Sequence, residues 1–175
     1  MAAVIDYLDD AEIGLCLRIN RIGRRASVRS FFAVISKLGD GYFWVFAALL
    51  LVLLQGASAG PELLQILLTG GAGLAVYKLL KGTLVRERPF VYNGSINCGT
   101  APLDRYSFPS GHTLHAVSFT IMFAQVEPLL IFLCAPFAIL VALSRVVLGL
   151  HYPSDVLVGA ALGAGIATIS QTLIP

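Results

Sequence analysis

From residue 41 onward polar side chains are sparse, and they divide the chain into five apolar runs, at about 41–59, 61–81, 110–126, 128–150 and 154–174. A helix needs about 20 mostly apolar residues to cross a bilayer. The runs therefore predict an all-α, polytopic membrane bundle of about five transmembrane helices. Tyr42, Phe43 and Trp44 open the first run, an aromatic cluster suited to the membrane–water boundary. Pro61 opens the second, where a helix tolerates proline. Gly70, Gly71 and Gly73 in the second run and Gly159, Gly163 and Gly165 in the fifth predict helices that approach closely.

Before residue 40 the pattern changes. Val4, Ile5, Leu8, Leu15, Ile19 and Ile22 recur at roughly helical spacing, as do Val28, Phe31, Phe32, Ile35 and Leu38, with charges between them. This predicts two amphipathic helices lying in the membrane interface, and divides the chain into an interfacial segment, 1–39, and a transmembrane core, 40–175. The alternative is one more span at about 27–38. The 55–61 link is short. The 82–109 connection is long enough to expect a function of it.

Composition sharpens the class. Hydrophobic residues make up 57% of the 175 and charged residues 13%, about half the charge of a soluble domain. Net charge is +2 with acids interspersed among the bases, which gives nucleic acid binding no support. Cys16, Cys98 and Cys134 are far apart, so neither a disulfide framework nor a zinc site is expected. Asp6, Asp9, Asp10 and Glu12 stand where a signal peptide carries bases.

Alternating spans bring the end of the second run, the start of the third and the turn between the fourth and fifth to one membrane face. Three polar pieces meet there: Lys81 to Arg88-Pro89, Pro109-Ser110-Gly111-His112, and Ser144-Arg145 through His151 to Asp155. Ionisable residues at a membrane face point to function. Lys81, Arg88 and Arg145 can supply the fixed positive charge that a transferring phosphoryl group needs. The N–H groups of Ser110, Gly111 and His112 can open a helix toward an anion. Asp155 can hold one ring nitrogen of His151 and leave the other free to attack phosphorus. His112 can serve as acid and then base. Neither a magnesium nor a zinc ligand set is evident, so no metal or other cofactor is expected. Arg86, Glu87, Asp104, Arg105 and Tyr106 read as solvated loop charge, and Ser154 as the cap of the last helix.

The three pieces match KxxxxxxRP, PSGH and SRxxxxxHxxxD in order and without departure, and so resemble the type 2 phosphatidic acid phosphatase family. That resemblance implies His151 as nucleophile, Asp155 as its partner and His112 as acid/base. It makes Lys81, Arg88, Ser110, Gly111 and Arg145 phosphate binders, with Ser144 as a supporting residue. It implies a small bacterial lipid phosphatase working through a phosphohistidine. Undecaprenyl pyrophosphate, phosphatidylglycerophosphate and phosphatidic acid are the candidate substrates, and no obligate protein partner is evident. The competing classes are a phosphotransferase or soluble-phosphate phosphatase of the same fold, and a silent membrane scaffold.

The expected location is a bacterial cytoplasmic (inner) membrane. Family members usually act on its outer side. Yet all 12 Lys and Arg fall on the active-site side of the predicted topology, and nine remain when the three phosphate binders are set aside. The positive-inside rule then turns the site toward the cytoplasm.

Overall fold

The structure, a computed structural model, describes residues 2–173, with side chains from Tyr7 onward. The expectations for Val4, Ile5 and Asp6 as side chains, and for Ile174 in the last run, fall outside the described residues. The described residues form α1 (Ala2–Ile22), α2 (Ala26–Gly39), α3 (Tyr42–Gln55), α4 (Ala59–Thr83), α5 (Pro89–Tyr92), α6 (Gly111–Val126), α7 (Ile131–Val147) and α8 (Pro153–Leu173). Each of the five apolar runs contributes one long helix. The first two occupy a 42-residue apolar stretch, Tyr42–Thr83, which breaks at Gly56, where φ is +66°. Glycine takes that backbone conformation without the strain a Cβ would bring. Pro128–Val147 and Pro153–Leu173 are also long and apolar enough to cross a membrane.

Hydrogen bonds at the helix ends fix the alternation. Gln55 at the end of α3 reaches the carbonyl of Val126 at the end of α6 (3.1 Å), and Gln65 near the start of α4 reaches Ser170 near the end of α8 (3.2 Å). At the other end, Asp40 just before α3 meets His112 at the start of α6. There too the Ser110 N–H donates to the Asp155 carbonyl in the first turn of α8 (3.1 Å). Helices α4, α6, α7 and α8 therefore deliver the three polar pieces to one end of the bundle.

Helix α6 is the axis. Its 16 residues are about 24 Å long, and Thr113, Leu114, Ala116, Ser118, Thr120, Met122 and Phe123 along it are buried. The Ser118 and Thr120 hydroxyls turn back onto the backbone, Thr120 to Ala116 at 2.7 Å, and Thr113 pairs with the Ser110 hydroxyl (2.9 Å), so burial leaves them satisfied. Helix α8 packs on it through glycine: a Cβ at Gly159 would lie 2.5 Å from the Ser110 carbonyl oxygen, and one at Gly163 only 2.3 Å from that of Leu114. The outward faces are apolar, with Leu53, Leu67, Phe132 and Leu157 among the exposed side chains. An apolar exterior is stable only in lipid.

Helices α1 and α2 lie at the polar end of the bundle. Helix α1 turns Asp9, Cys16 and Asn20 inward and leaves Leu8, Leu15 and Ile22 exposed. Helix α2 likewise buries Ile35 and Ser36 and exposes Phe31, Val34 and Leu38. Helix α2, which carries Arg29 and Lys37, is not among the stretches long and apolar enough to cross a membrane.

Gly163→Val should lower the melting temperature in detergent, because the branched side chain must push α8 off the Leu114 carbonyl, at a cost of about 1–3 kcal/mol or more. Gly165→Ala meets open space and should leave the melting temperature unchanged.

Candidate active site

Three cations gather at the polar end of α6. Lys81 comes from the last turn of α4, Arg88 from the segment leading into α5, and Arg145 from the last turn of α7, and all three are buried. Burying cations is costly without compensation. Arg88 Nη1 donates to the Leu150 carbonyl (2.7 Å) and lies 3.4 Å from His151 Nε2. Arg145 donates to the Ser36 hydroxyl of α2. Its Nε, although buried, has no hydrogen-bond partner among the described residues.

His151 stands in the tight turn between α7 and α8. Gly149, with φ +73°, shapes that turn, and the His151 N–H returns to the Arg145 carbonyl (3.1 Å). Its Nδ1 lies 3.6 Å from Asp155 Oδ2, too far for a hydrogen bond but close enough to select the protonated nitrogen. A guanidinium can only donate, so the Nε2 facing Arg88 is the nitrogen with the lone pair. Burial, reinforced by Arg145, Arg88 and Lys81, pushes the His151 pKa well below that of an ordinary imidazole. The ring is thus neutral near pH 7, with Nε2 nucleophilic and aimed among the cations.

Asp155 is itself held. Its Oδ2 accepts the Tyr152 N–H (2.9 Å), and its Oδ1 accepts from Arg86 Nη1 (2.6 Å). Arg86 also bonds Asp9 (2.7 Å) and Glu12 (3.0 Å) of α1 and covers the Tyr152 ring. Arg86 is therefore not solvated loop charge, as its place in a polar loop suggested. It is the buried hub that ties α1 to the third polar piece. Ser154 is not a helix cap either: its hydroxyl donates to Glu12 (2.7 Å) and accepts from Arg86 (2.7 Å).

Ser110 precedes α6, but its N–H is taken by the Asp155 carbonyl (3.1 Å) and its hydroxyl is bonded to that of Thr113 (2.9 Å), so of the expected donors it is the N–H groups of Gly111 and His112 that open the helix without intrahelical acceptors. A Cβ at Gly111 would strike the Tyr77 ring at 2.6 Å, which accounts for glycine there. His112 Nε2 is hydrogen-bonded to Asp40, and this contact holds the Asp40 carboxyl below the usual carboxylate range. Ser144 spends its hydroxyl on the Val141 carbonyl of its own helix (2.6 Å). His115 sits one turn below His112 and contacts the carbonyls of Gly111 (2.9 Å) and Gly70 (3.3 Å).

Asp104 is the second charge misplaced by the sequence reading. Its Oδ1 lies 2.7 Å from Lys81 and 2.8 Å from Arg88, and its Oδ2 accepts from the Tyr77 hydroxyl. Burial opposes its ionisation, but the hydrogen bonds from Lys81 and Tyr77 outweigh that and hold its pKa low. Glu87 and Arg105 are exposed, as expected. Asp40, Tyr77, Asp104 and Arg86 carry no recognisable spacing relative to the polar pieces. The one signal was an unusual density of charge in a long loop.

Two cavities reach His112. One, of about 540 Å³, is an apolar groove between α3, α4 and α6, lined by Trp44, Val45, Leu67, Leu74 and Phe119 and ending at Gly111 and His112. The other, of about 300 Å³, is more polar and passes Ser36, Lys37, Asp40 and Arg145. His112 thus borders an apolar cavity and a more polar one.

Residues 62–175 match the PAP2 superfamily. Decaprenylphosphoryl-5-phosphoribose phosphatase of Mycobacterium tuberculosis is 34% identical over 162 residues, which cover 89% of this chain and 83% of the relative. Undecaprenyl-diphosphatase of Sulfolobus acidocaldarius is 28% identical, over 83% of this chain and 70% of the relative. The crystal structure of Aquifex aeolicus LpxE superposes with a TM-score of 0.74 at 28% identity, covering 93% of this chain and 95% of that one.

Arg86→Gln should destabilise the protein by about 3–5 kcal/mol, the usual effect of stripping the cation from buried carboxylates. Thermal unfolding in detergent checks this, and Arg86→Lys, which keeps the charge but loses the fork, should fall between the two.

Proposed function

This chain belongs to the PAP2 superfamily and is a membrane lipid phosphatase, and on that premise we propose that it works through a phosphohistidine on His151. The observation that carries the reading is the buried, neutral His151, its Nε2 3.4 Å from Arg88 and its ring in the field of Arg145 and Lys81, in a bundle whose apolar groove ends at Gly111 and His112. The phosphate of the lipid lies among Lys81, Arg88, Arg145 and the N–H groups of Gly111 and His112, which stabilise charge on its equatorial oxygens. Nε2 bonds to phosphorus as the phosphorus–oxygen bond to the lipid breaks, and His112 gives its proton to the departing oxygen. His112 then takes a proton from water, which attacks phosphorus, breaks the phosphorus–nitrogen bond and releases phosphate. Asp155 stabilises the positive charge that His151 gains in the first step, and Asp40 does the same for His112. No step calls for a metal.

Two relatives act on polyprenyl lipids, as their names state, and the apolar groove gives a long chain a path from the bilayer to His112. We therefore place a polyprenyl-linked phosphate or diphosphate ahead of phosphatidylglycerophosphate and phosphatidic acid.

The same reading covers the membrane. Helices α1 and α2 lie in the interface with their exposed apolar residues toward lipid. Their arginines, with Lys37, add to a Lys and Arg excess wholly at the active-site end, so the site opens toward the cytoplasm of an inner membrane.

His151→Ala and His112→Ala should each reduce lipid phosphate release by about a thousandfold or more while the melting temperature stays near wild type. Activity should survive EDTA and be inhibited by vanadate, a mimic of five-coordinate phosphorus. A panel of decaprenylphosphoryl-5-phosphoribose, undecaprenyl diphosphate, phosphatidylglycerophosphate, phosphatidic acid and an aryl phosphate should rank the polyprenyl lipids first. Faster turnover of the aryl phosphate would reject the lipid preference.

Sidedness can be read from the natural cysteines. Cys98 is exposed in the long loop, whereas Cys16 and Cys134 are buried, and burial with the nearby Glu12 pushes the Cys16 thiol up to about 12. With only the outer membrane permeabilised, an impermeant maleimide should leave wild-type protein unlabelled, and it should label Cys98 once the inner membrane is opened. Cys98→Ser is the blank, and labelling with the inner membrane intact would reverse the orientation.

A further inference from the structure

The carboxylate of Asp104 occupies the position that the proposed chemistry assigns to substrate phosphate oxygens. One of its oxygens bridges Lys81 and Arg88, at 2.7 and 2.8 Å, and the other takes the Tyr77 hydroxyl. Little else ties down this stretch of chain. The Gly99 N–H is bonded to the Leu148 carbonyl (3.0 Å) and the Ser107 N–H to that of Arg86 (2.8 Å). Between these anchors Asp104 is held through its own side chain and through a 3.2 Å bond from Arg88 Nε to its carbonyl. Leu103, beside it, is exposed and lines both cavities that reach His112. The stretch from Gly99 to Ser107 thus forms an arch that borders both cavities.

We infer that Asp104 is a specificity-determining residue: an internal anion that a doubly charged terminal phosphate displaces and a singly charged phosphodiester does not. The inference rests on the phosphatase reading above. A terminal phosphate brings two charges and three unsubstituted oxygens, enough to engage Lys81, Arg88 and the unpartnered Arg145 Nε together. A phosphodiester brings one charge and two free oxygens, no more than the carboxylate it would replace, and it must also move the arch. Phosphodiesters are the bulk head groups of a phospholipid bilayer. A buried cationic cluster in a membrane protein needs protection from them, and a tethered carboxylate supplies it by raising the charge a ligand must carry.

The test uses the full-length protein in mixed micelles, with Asp104→Asn and, in case the amide repacks, Asp104→Ser. Phosphate release is followed from a phosphomonoester lipid that the wild type hydrolyses, with increasing phosphatidylglycerol as the phosphodiester. In both variants KM should fall about tenfold, the scale of one charge-assisted contact, with kcat little changed. Inhibition by phosphatidylglycerol, weak in the wild type, should become about tenfold stronger on the same scale. Unchanged phosphatidylglycerol inhibition, or a raised KM, would overturn the inference while leaving the phosphatase reading in place. Binding of inorganic phosphate, read as a thermal shift, separates the two claims without turnover. Tighter phosphate binding in the variants with no lipid hydrolysis in any form would remove the phosphatase reading alone, and no phosphate binding in any form would remove both.

Discussion

Three cations buried at the end of a membrane bundle are the constraint around which this molecule is organised. Lys81, Arg88 and Arg145 come from three separate elements and lie almost wholly out of water, where an uncompensated charge is prohibitively expensive. The fold meets that cost locally. Asp104 neutralises two of them, backbone carbonyls take part of Arg88, and a serine of α2 takes part of Arg145. Burial, reinforced by the same concentration of charge, keeps His151 neutral, so a requirement for phosphate binding and a requirement for nucleophilicity are met by one arrangement.

The carboxylates are then sorted by a second cation. Were Asp155 to pair directly with the phosphate-binding charges, it would compete with substrate. Arg86 holds it instead, together with Asp9 and Glu12 of α1. The N-terminal helix is thereby part of the active-site architecture, because two of its acids complete the coordination of an arginine that orients Asp155. Asp104, by contrast, is left on the substrate side of the cations, on an arch with few other tethers.

All of this depends on a close axial contact lower in the bundle. Helices α6 and α8 meet at Gly159 and Gly163 with no room for a Cβ. That contact sets the start of α6 against the first turn of α8, where the Ser110 N–H meets the Asp155 carbonyl. The apolar groove runs on the opposite side of α6, between α3 and α4. Helix α6 thus separates the tail path from the packed core while presenting its N-terminus to both.

Hydropathy placed the five long core helices to within a few residues, since the rule that buries apolar side chains in lipid acts on each segment alone. The first apolar run ended at Gln55 instead of continuing to about 59, because Gly56 turns the chain. The three polar pieces were equally legible: each is short and contiguous, and alternating helices must carry all three to one face. What the sequence could not decide was the fate of isolated charges. Arg86 and Asp104 were read as solvated, and Asp9, Glu12 and Asp40 had no assigned partner. Arg86 finds Asp9 across 77 residues, and Asp40 finds His112 across 72. Apolar burial is a property of a segment, and so it is written in the sequence. Whether a charge is buried depends on which opposite charge arrives beside it, and only the packing of distant helices supplies that.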